Sequence, residues 1–160
     1  MSKALEIAQY IYNQGYTDKI KLHKLLYISF GFYGAKYQKY LFEDVIEAWQ
    51  FGPVIPAVYW AGKDGFFTTQ QDVKLNMQEQ LTIDEVLSFY GQKAPFLLVE
   101  LTHKKNTPWS NAYIKGRKNI EIKKENIIRY YADFLNKTDQ IVKHLATEDF
   151  KKVMENLAKT

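Results

Sequence analysis

The chain has 160 residues, 46% of them hydrophobic and 16% aromatic, with a formal net charge of +4. That suits one domain with a real core and excludes a wholly disordered chain, which would be poor in aromatics and highly charged. There is no cysteine, which excludes disulfides and thiolate metal sites. No apolar run reaches the ~18 residues of a membrane span. Met1-Ser2-Lys3-Ala4-Leu5-Glu6 lacks a hydrophobic signal core, so the expected location is cytoplasmic.

In chain order, residues 3–14 predict a first helix, with Leu5, Ala8, Ile11 and Tyr12 at helical spacing and Gly15 as its stop. A second helix is expected from Asp18 or Lys19 to Tyr37. It is so apolar, through Leu22, Leu25, Leu26, Ile28, Phe32 and Tyr33, that it reads as the central one. Gly31 and Gly34 each cost it ~1 kcal/mol of propensity relative to Ala. Two glycines three apart therefore predict a close crossing by another element.

Val45, Ile46, Ala48 and Trp49 favour a short strand near 44–50, stopped by Gly52-Pro53. Pro56 opens a short helix to Gly62. Residues 62–80 read as a loop, with Phe66-Phe67 pinned down or in a short strand. Thr82-Ile83-Asp84-Glu85 has the form of a capping box and predicts a helix start there, running to Gly91. A further helix begins near Pro95 and presents Leu97, Leu98 and Leu101; Pro108-Trp109 opens one more turn. Ile120 and Ile122 suggest a second strand near 118–122, antiparallel to the first. A helix over 124–135 and a terminal helical segment over 137–158, breaking at Thr147, complete the chain. The expected fold class is α+β, mainly α-helical: a single-domain bundle around a central helix with a small antiparallel sheet.

The positive charge is local. Residues 1–114 carry 11 Lys/Arg and 11 Asp/Glu, whereas 115–160 carry 11 against 7. The densest stretch, 104–124, holds Lys104, Lys105, Lys115, Arg117, Lys118, Lys123 and Lys124 against Glu121 alone. It can attract phosphate or an acidic protein surface, or it is a solvated loop. No familiar DNA-reading motif accompanies it.

Catalytic chemistry is hard to find. His23, His103 and His144 have no ligand-type spacing, and His103 reads as a loop tie rather than a general base. Acidic pairs such as Glu43-Asp44 sit at turns or helix starts, where the helix dipole accounts for them. No phosphate loop, nucleophile elbow or His-Glu-x-x-His is present. The expectation is a non-enzyme without cofactor or metal.

Lys21-Leu22-His23-Lys24-Leu25-Leu26-Tyr27 leads into the aromatic helix. Leu41-Phe42, Glu47-Ala48-Trp49 and Phe51-Gly52-Pro53-Val54 follow, then Thr102-His103-Lys104 to Pro108-Trp109. This ordered set resembles the Panacea domain of GepA-like and SocA-like phage-associated antitoxins, over about residues 3–135. Tyr40 departs from the family's usual proline before Leu-Phe. The resemblance implies a 1–135 Panacea-like domain with a 136–160 C-terminal helical extension, in a prophage or mobile-element setting. It also implies a binding role: neutralising a cognate toxin by direct protein–protein contact, and in SocA-like members handing it to a ClpXP-type protease.

The residue types allow candidate contacts. Trp49, Phe51, Gly52, Pro53 and Val54 combine an aromatic with a rigid turn, either as core filling or as a binding anchor. His103, Lys104, Lys105, Trp109, Lys115 and Arg117 could form a second, basic-rimmed patch. The terminal amphipathic helix is a third candidate, packing on the domain or in a partner's groove. The alternative function is a nucleic-acid-associated or autoregulatory protein using the 104–124 stretch.

Overall fold

A computed structural model describes residues 1–159; Thr160, in the expected extension, lies outside the described residues. The architecture is mainly helical α+β: helices α1 (Lys3–Asn13), α2 (Lys19–Tyr37), α3 (Pro56–Lys63), α4 (Met77–Tyr90), α5 (Pro95–His103), α6 (Pro108–Ala112) and α7 (Lys124–Ala158), with strands β1 (Glu47–Trp49) and β2 (Gly52–Val54) between α2 and α3.

Helix α2 is the axis of the fold. Asp18 caps its start by accepting from the Lys21 backbone N–H at 2.9 Å, and Gln38 ends it in the left-handed region at φ 54°. Leu22, Leu25, Leu26, Tyr27, Ile28, Phe30 and Phe32 are all buried, which a helix achieves only when covered on several sides. The cover comes from α1, α4, α5, α7 and β2. The glycines mark where α7 crosses. A Cβ on Gly31 would lie 2.1 Å from the Tyr131 ring, and one on Gly34 would lie 2.3 Å from Ile128.

Three expected boundaries shift. Helix α4 starts at Met77, five residues before Thr82. Its capping box pairs Asn76 with Glu79, each side chain accepting the other's backbone N–H at 2.8 and 2.9 Å. Thr82 is interior, its hydroxyl donating to the Gln78 carbonyl. The helix thus starts at an Asn-based box upstream of the Thr82–Glu85 pattern, and Glu79 of that box also pairs with Lys3 of α1 at 2.9 Å. The loop after α3 therefore ends at residue 76, and Phe67 packs on Tyr12 without forming a strand.

The sheet also differs. Gly52 and Pro53 do not stop the strand; they begin its partner, in a hairpin pairing Glu47 with Val54, Ala48 with Pro53 and Trp49 with Gly52. The 118–122 segment adds one antiparallel bridge, Glu47 to Glu121. Its flanking bonds run from Ala48 N–H to the Ile120 carbonyl and from Ile122 N–H to the Ile46 carbonyl, each 2.8 Å. Finally, 124–135 and 137–158 form one continuous helix, α7. Thr147 does not break it; it lies inside the helix, with its hydroxyl donating to the Lys143 carbonyl at 2.9 Å.

The first three turns of α7 bury Ile127 and Tyr131 against α2. Beyond Leu135 the helix runs on for about 33 Å at 1.5 Å per residue. Ile141, Leu145, Phe150, Val153 and Met154 along it are each half or more exposed.

Candidate partner-binding surface

The β1–β2 hairpin is positioned by side chains from distant elements. Trp109, brought in by α6, donates its indole N–H to the Trp49 carbonyl at 2.6 Å. His103, at the end of α5, places Nε2 3.3 Å from the Gln50 carbonyl; a carbonyl only accepts, so Nε2 carries the proton in this bond. The Trp109 ring lies between two others, tilted against His103 at 3.6 Å between centroids and stacked on Tyr113 at 4.7 Å. Thr107 sets this turn. Its hydroxyl donates to the Lys104 carbonyl at 2.7 Å, and it forms a capping box with Ser110 that starts α6. Trp109 is only 7% exposed. It supports the hairpin from beneath rather than presenting a ring to solvent.

From the other side, Lys24 of α2 donates Nζ to the Pro53 carbonyl at 3.1 Å. Gly52 is required here twice over. Its φ is +124°, and a Cβ would come 2.9 Å from Lys24 Nζ. Burial pushes the Lys24 ammonium down to about 8, and among the described residues no acid pairs with it. Burial, and secondarily the Lys24 charge, pushes His23 down to about 4. His23 is thus neutral near pH 7.

The hairpin separates two concavities. On one side, half-buried Trp49 donates Nε1 to the Glu47 carboxylate at 2.7 Å and packs against Tyr59 at 4.8 Å and Trp60 at 6.5 Å. Trp49 and Trp60, with Tyr113, Arg117 and Lys118, line a cleft of about 410 Å³. On the other side, Phe51 and Val54 join Lys24 and His23 around a smaller cavity. Phe51, at the hairpin tip, is 74% exposed.

Trp49 and Arg117, 68 positions apart in sequence, are thus brought to one cleft. Gly52 and Pro53 are buried and shape the hairpin. Lys104, Lys105 and Lys115 are exposed on the turns flanking α6, and no structural contact draws them into the cleft. Trp60 and Tyr113 are cleft residues that the sequence pattern did not single out. The signal for Trp60 is its place one residue after Tyr59 on a helix of about two turns, where adjacent side chains point to different faces. Among the described residues, no group of three or more His, Asp or Glu is placed to hold a metal ion. No helix among them is long and apolar enough to cross a membrane.

The chain is thus a small, mainly helical α+β domain with an aromatic hairpin and a terminal helix whose distal part is exposed. The family model described as "Antitoxin SocA-like, Panacea domain" matches residues 22–110, from the lysine-rich turn of α2 into α6. The chain belongs to the SocA-like, Panacea-domain antitoxin family. The match begins after α1 and ends before α7, so it is narrower than the 3–135 span that the motifs suggest. No curated protein and no solved structure matches the chain.

Proposed function

We propose that this protein neutralises a cognate toxin by binding it directly, through the hairpin cleft and the C-terminal extension over 136–160. The observation that carries the proposal is the apolar stripe of α7. Ile141, Leu145, Phe150, Val153 and Met154 are exposed on a helix that has left its own core. An amphipathic helix of this kind is suited to a groove on another protein. The cleft beside it in function, not in contact, offers Trp49 and Trp60 as rigid aromatic contacts with Arg117 and Lys118 at their edge, the residue types that concentrate binding energy. Membership of an antitoxin family supplies the class of partner. The role needs no reaction, and none of the proposed contacts is catalytic.

The same role extends to an adaptor, in which the bound toxin is passed to a ClpXP-type protease; toxin half-life in cells with and without that protease measures this step. The primary test is co-expression with the product of the adjacent gene. The proposal expects that product to arrest growth alone, growth to return when this chain is co-expressed, and the two to co-purify at a fixed ratio. A neighbour that is harmless alone, or that never co-purifies, overturns it.

A further inference from the structure

On the Phe51 side of the hairpin, α1, α2, β2 and α3 enclose a cavity of about 210 Å³. Its walls are mainly apolar, formed by Leu22, Phe51, Val54, Tyr59 and Phe67. Its charged lining is one-signed: Lys19, Lys24 and Lys63 contribute to it, and no Asp or Glu does. At the mouth, Ile20 and Phe51 are 52% and 74% exposed. Lys63 lies over the Tyr59 ring at 5.6 Å, held at the rim.

Two buried polar groups in this lining are incompletely served. Lys24 is 4% exposed, and its bond to the Pro53 carbonyl is to a neutral acceptor. Among the described residues no ion pair reaches it. A buried ammonium without a counter-charge is costly. It would be better accommodated by a carboxylate than by a carbonyl alone. His23 also lines the cavity, with its buried Nδ1 lacking any hydrogen-bond partner. Such groups are normally satisfied, so each one calls for an explanation. Gly52 adds a third observation, since any side chain there would displace the Lys24 amine.

We propose that this cavity receives an acidic–apolar segment of the protein partner, in which an apolar side chain lies beside an Asp or Glu. The apolar group packs between Leu22, Val54 and Phe51, and the carboxylate accepts from the Lys24 ammonium, with Lys19 and Lys63 favouring its approach. This names the chemistry recognised and rests on the binding role proposed above. The site itself is separate from the Trp49 cleft.

The test titrates the full-length chain with acetyl-Phe-Asp-amide and, in parallel, acetyl-Phe-Asn-amide, followed by NMR. The expected result is saturable shifts at His23, Lys24 and Val54 with the Asp peptide, and binding at least tenfold weaker with the Asn peptide. Phe51→Ala should weaken both peptides, and Lys24→Met should erase the Asp-over-Asn preference. If Lys24→Met fails to fold, the wild-type Lys24 side-chain signal decides: its ammonium titration moves to higher pH with the Asp peptide alone. Equal binding of the two peptides, shifts confined to other surfaces, or an unmoved Lys24 titration overturns the proposal. The toxin arm stays distinct. Peptide binding without co-purification of the neighbouring gene product leaves this site standing and removes the antitoxin role. Co-purification that Phe51→Ala leaves unchanged, with no peptide binding, does the reverse.

Discussion

The indole N–H of Trp109 reaches the backbone carbonyl of Trp49 at 2.6 Å, tying the hairpin to a helix 60 positions downstream. Because Trp109 is buried, a variant that removes the donor leaves that carbonyl without its bond. Trp109→Phe keeps much of the ring packing and should still cost about 1–3 kcal/mol of unfolding free energy. Urea denaturation measures it. His103→Ala should cost less, since that imidazole is only half-buried and its 3.3 Å bond is longer.

Gly31 and Gly34 make a second prediction. An added methyl gains up to ~1 kcal/mol of helix propensity, but here it meets the Tyr131 ring or Ile128 at under 2.5 Å. Overpacking of that severity costs ~1–3 kcal/mol or more. Both Gly31→Ala and Gly34→Ala should therefore lower the melting temperature, and α7 should separate from α2. Gain in Tm with either variant would show that the crossing can slide apart at little cost.

These glycines also show what was legible in the sequence. The central helix, the glycine-marked crossing and the hairpin residues are local patterns, and short-range steric rules reveal them. Partner choice is not local. The strand at 47–49 pairs with its own neighbour at 52–54 because the two-residue Gln50-Phe51 turn closes it and Gly52 accepts a positive φ. The 118–122 segment is left a single bridge. Two candidate capping boxes lie six residues apart, and each has tertiary partners, Lys3 on Glu79 and Lys36 on Glu85, so the local pattern alone does not choose between them. Of the candidate contacts, Trp49 and Phe51 were readable as aromatics beside a turn. That they face opposite concavities is not, because it depends on where α3 and the 113–119 turn fall. Burial of Trp109 is hidden for the same reason: neither His103 nor Tyr113 reveals from sequence that it packs against that indole.

The buried cation gives a pH signature. Burial lowers Lys24 from its ordinary 10.5 to about 8. Between those values the unfolded chain binds more protons at this position than the folded one, so the Lys24 contribution makes stability rise with pH. Below about pH 8 the full penalty is present, on the order of 3 kcal/mol. Lys24→Met removes it and leaves the Pro53 carbonyl unpaired, at about 1–3 kcal/mol. The variant should be as stable as wild type or somewhat more so at pH 7. That advantage should shrink towards pH 10.5, and comparing the two chains cancels their shared tyrosines. A wild-type advantage at pH 7 would mean the ammonium is well compensated.

His23 gives the acid-side counterpart. Its pKa is lowered from 6.5 to about 4, chiefly by burial and then by Lys24. The unfolded chain binds more protons in this window, so stability is full above about pH 6.5 and declines as pH falls to about 4. His23→Gln should flatten that segment of the stability–pH curve. In Lys24→Met the His23 titration should move upward, because one of its two causes is gone. Imidazole NMR signals followed against pH report both effects directly.

The α7 stripe makes the sharpest separation between stability and function. Leu145 and Phe150 are 57% and 66% exposed, so charge placed there is not buried on folding. Leu145→Lys and Phe150→Lys, alone or together, should leave unfolding free energy within ~0.5 kcal/mol of wild type. If the stripe is the toxin contact, each removes an apolar group from the interface and adds a charge that must be desolvated. Toxin affinity should then fall tenfold or more per site, about 1.4 kcal/mol each, and growth rescue should fail while the chain stays folded. Calorimetry of the purified pair measures the first and co-expression the second. Unchanged affinity in the double variant would move the contact to the Trp49–Trp60 cleft, where Trp60→Ala, removing a side chain already 57% exposed, is the corresponding test.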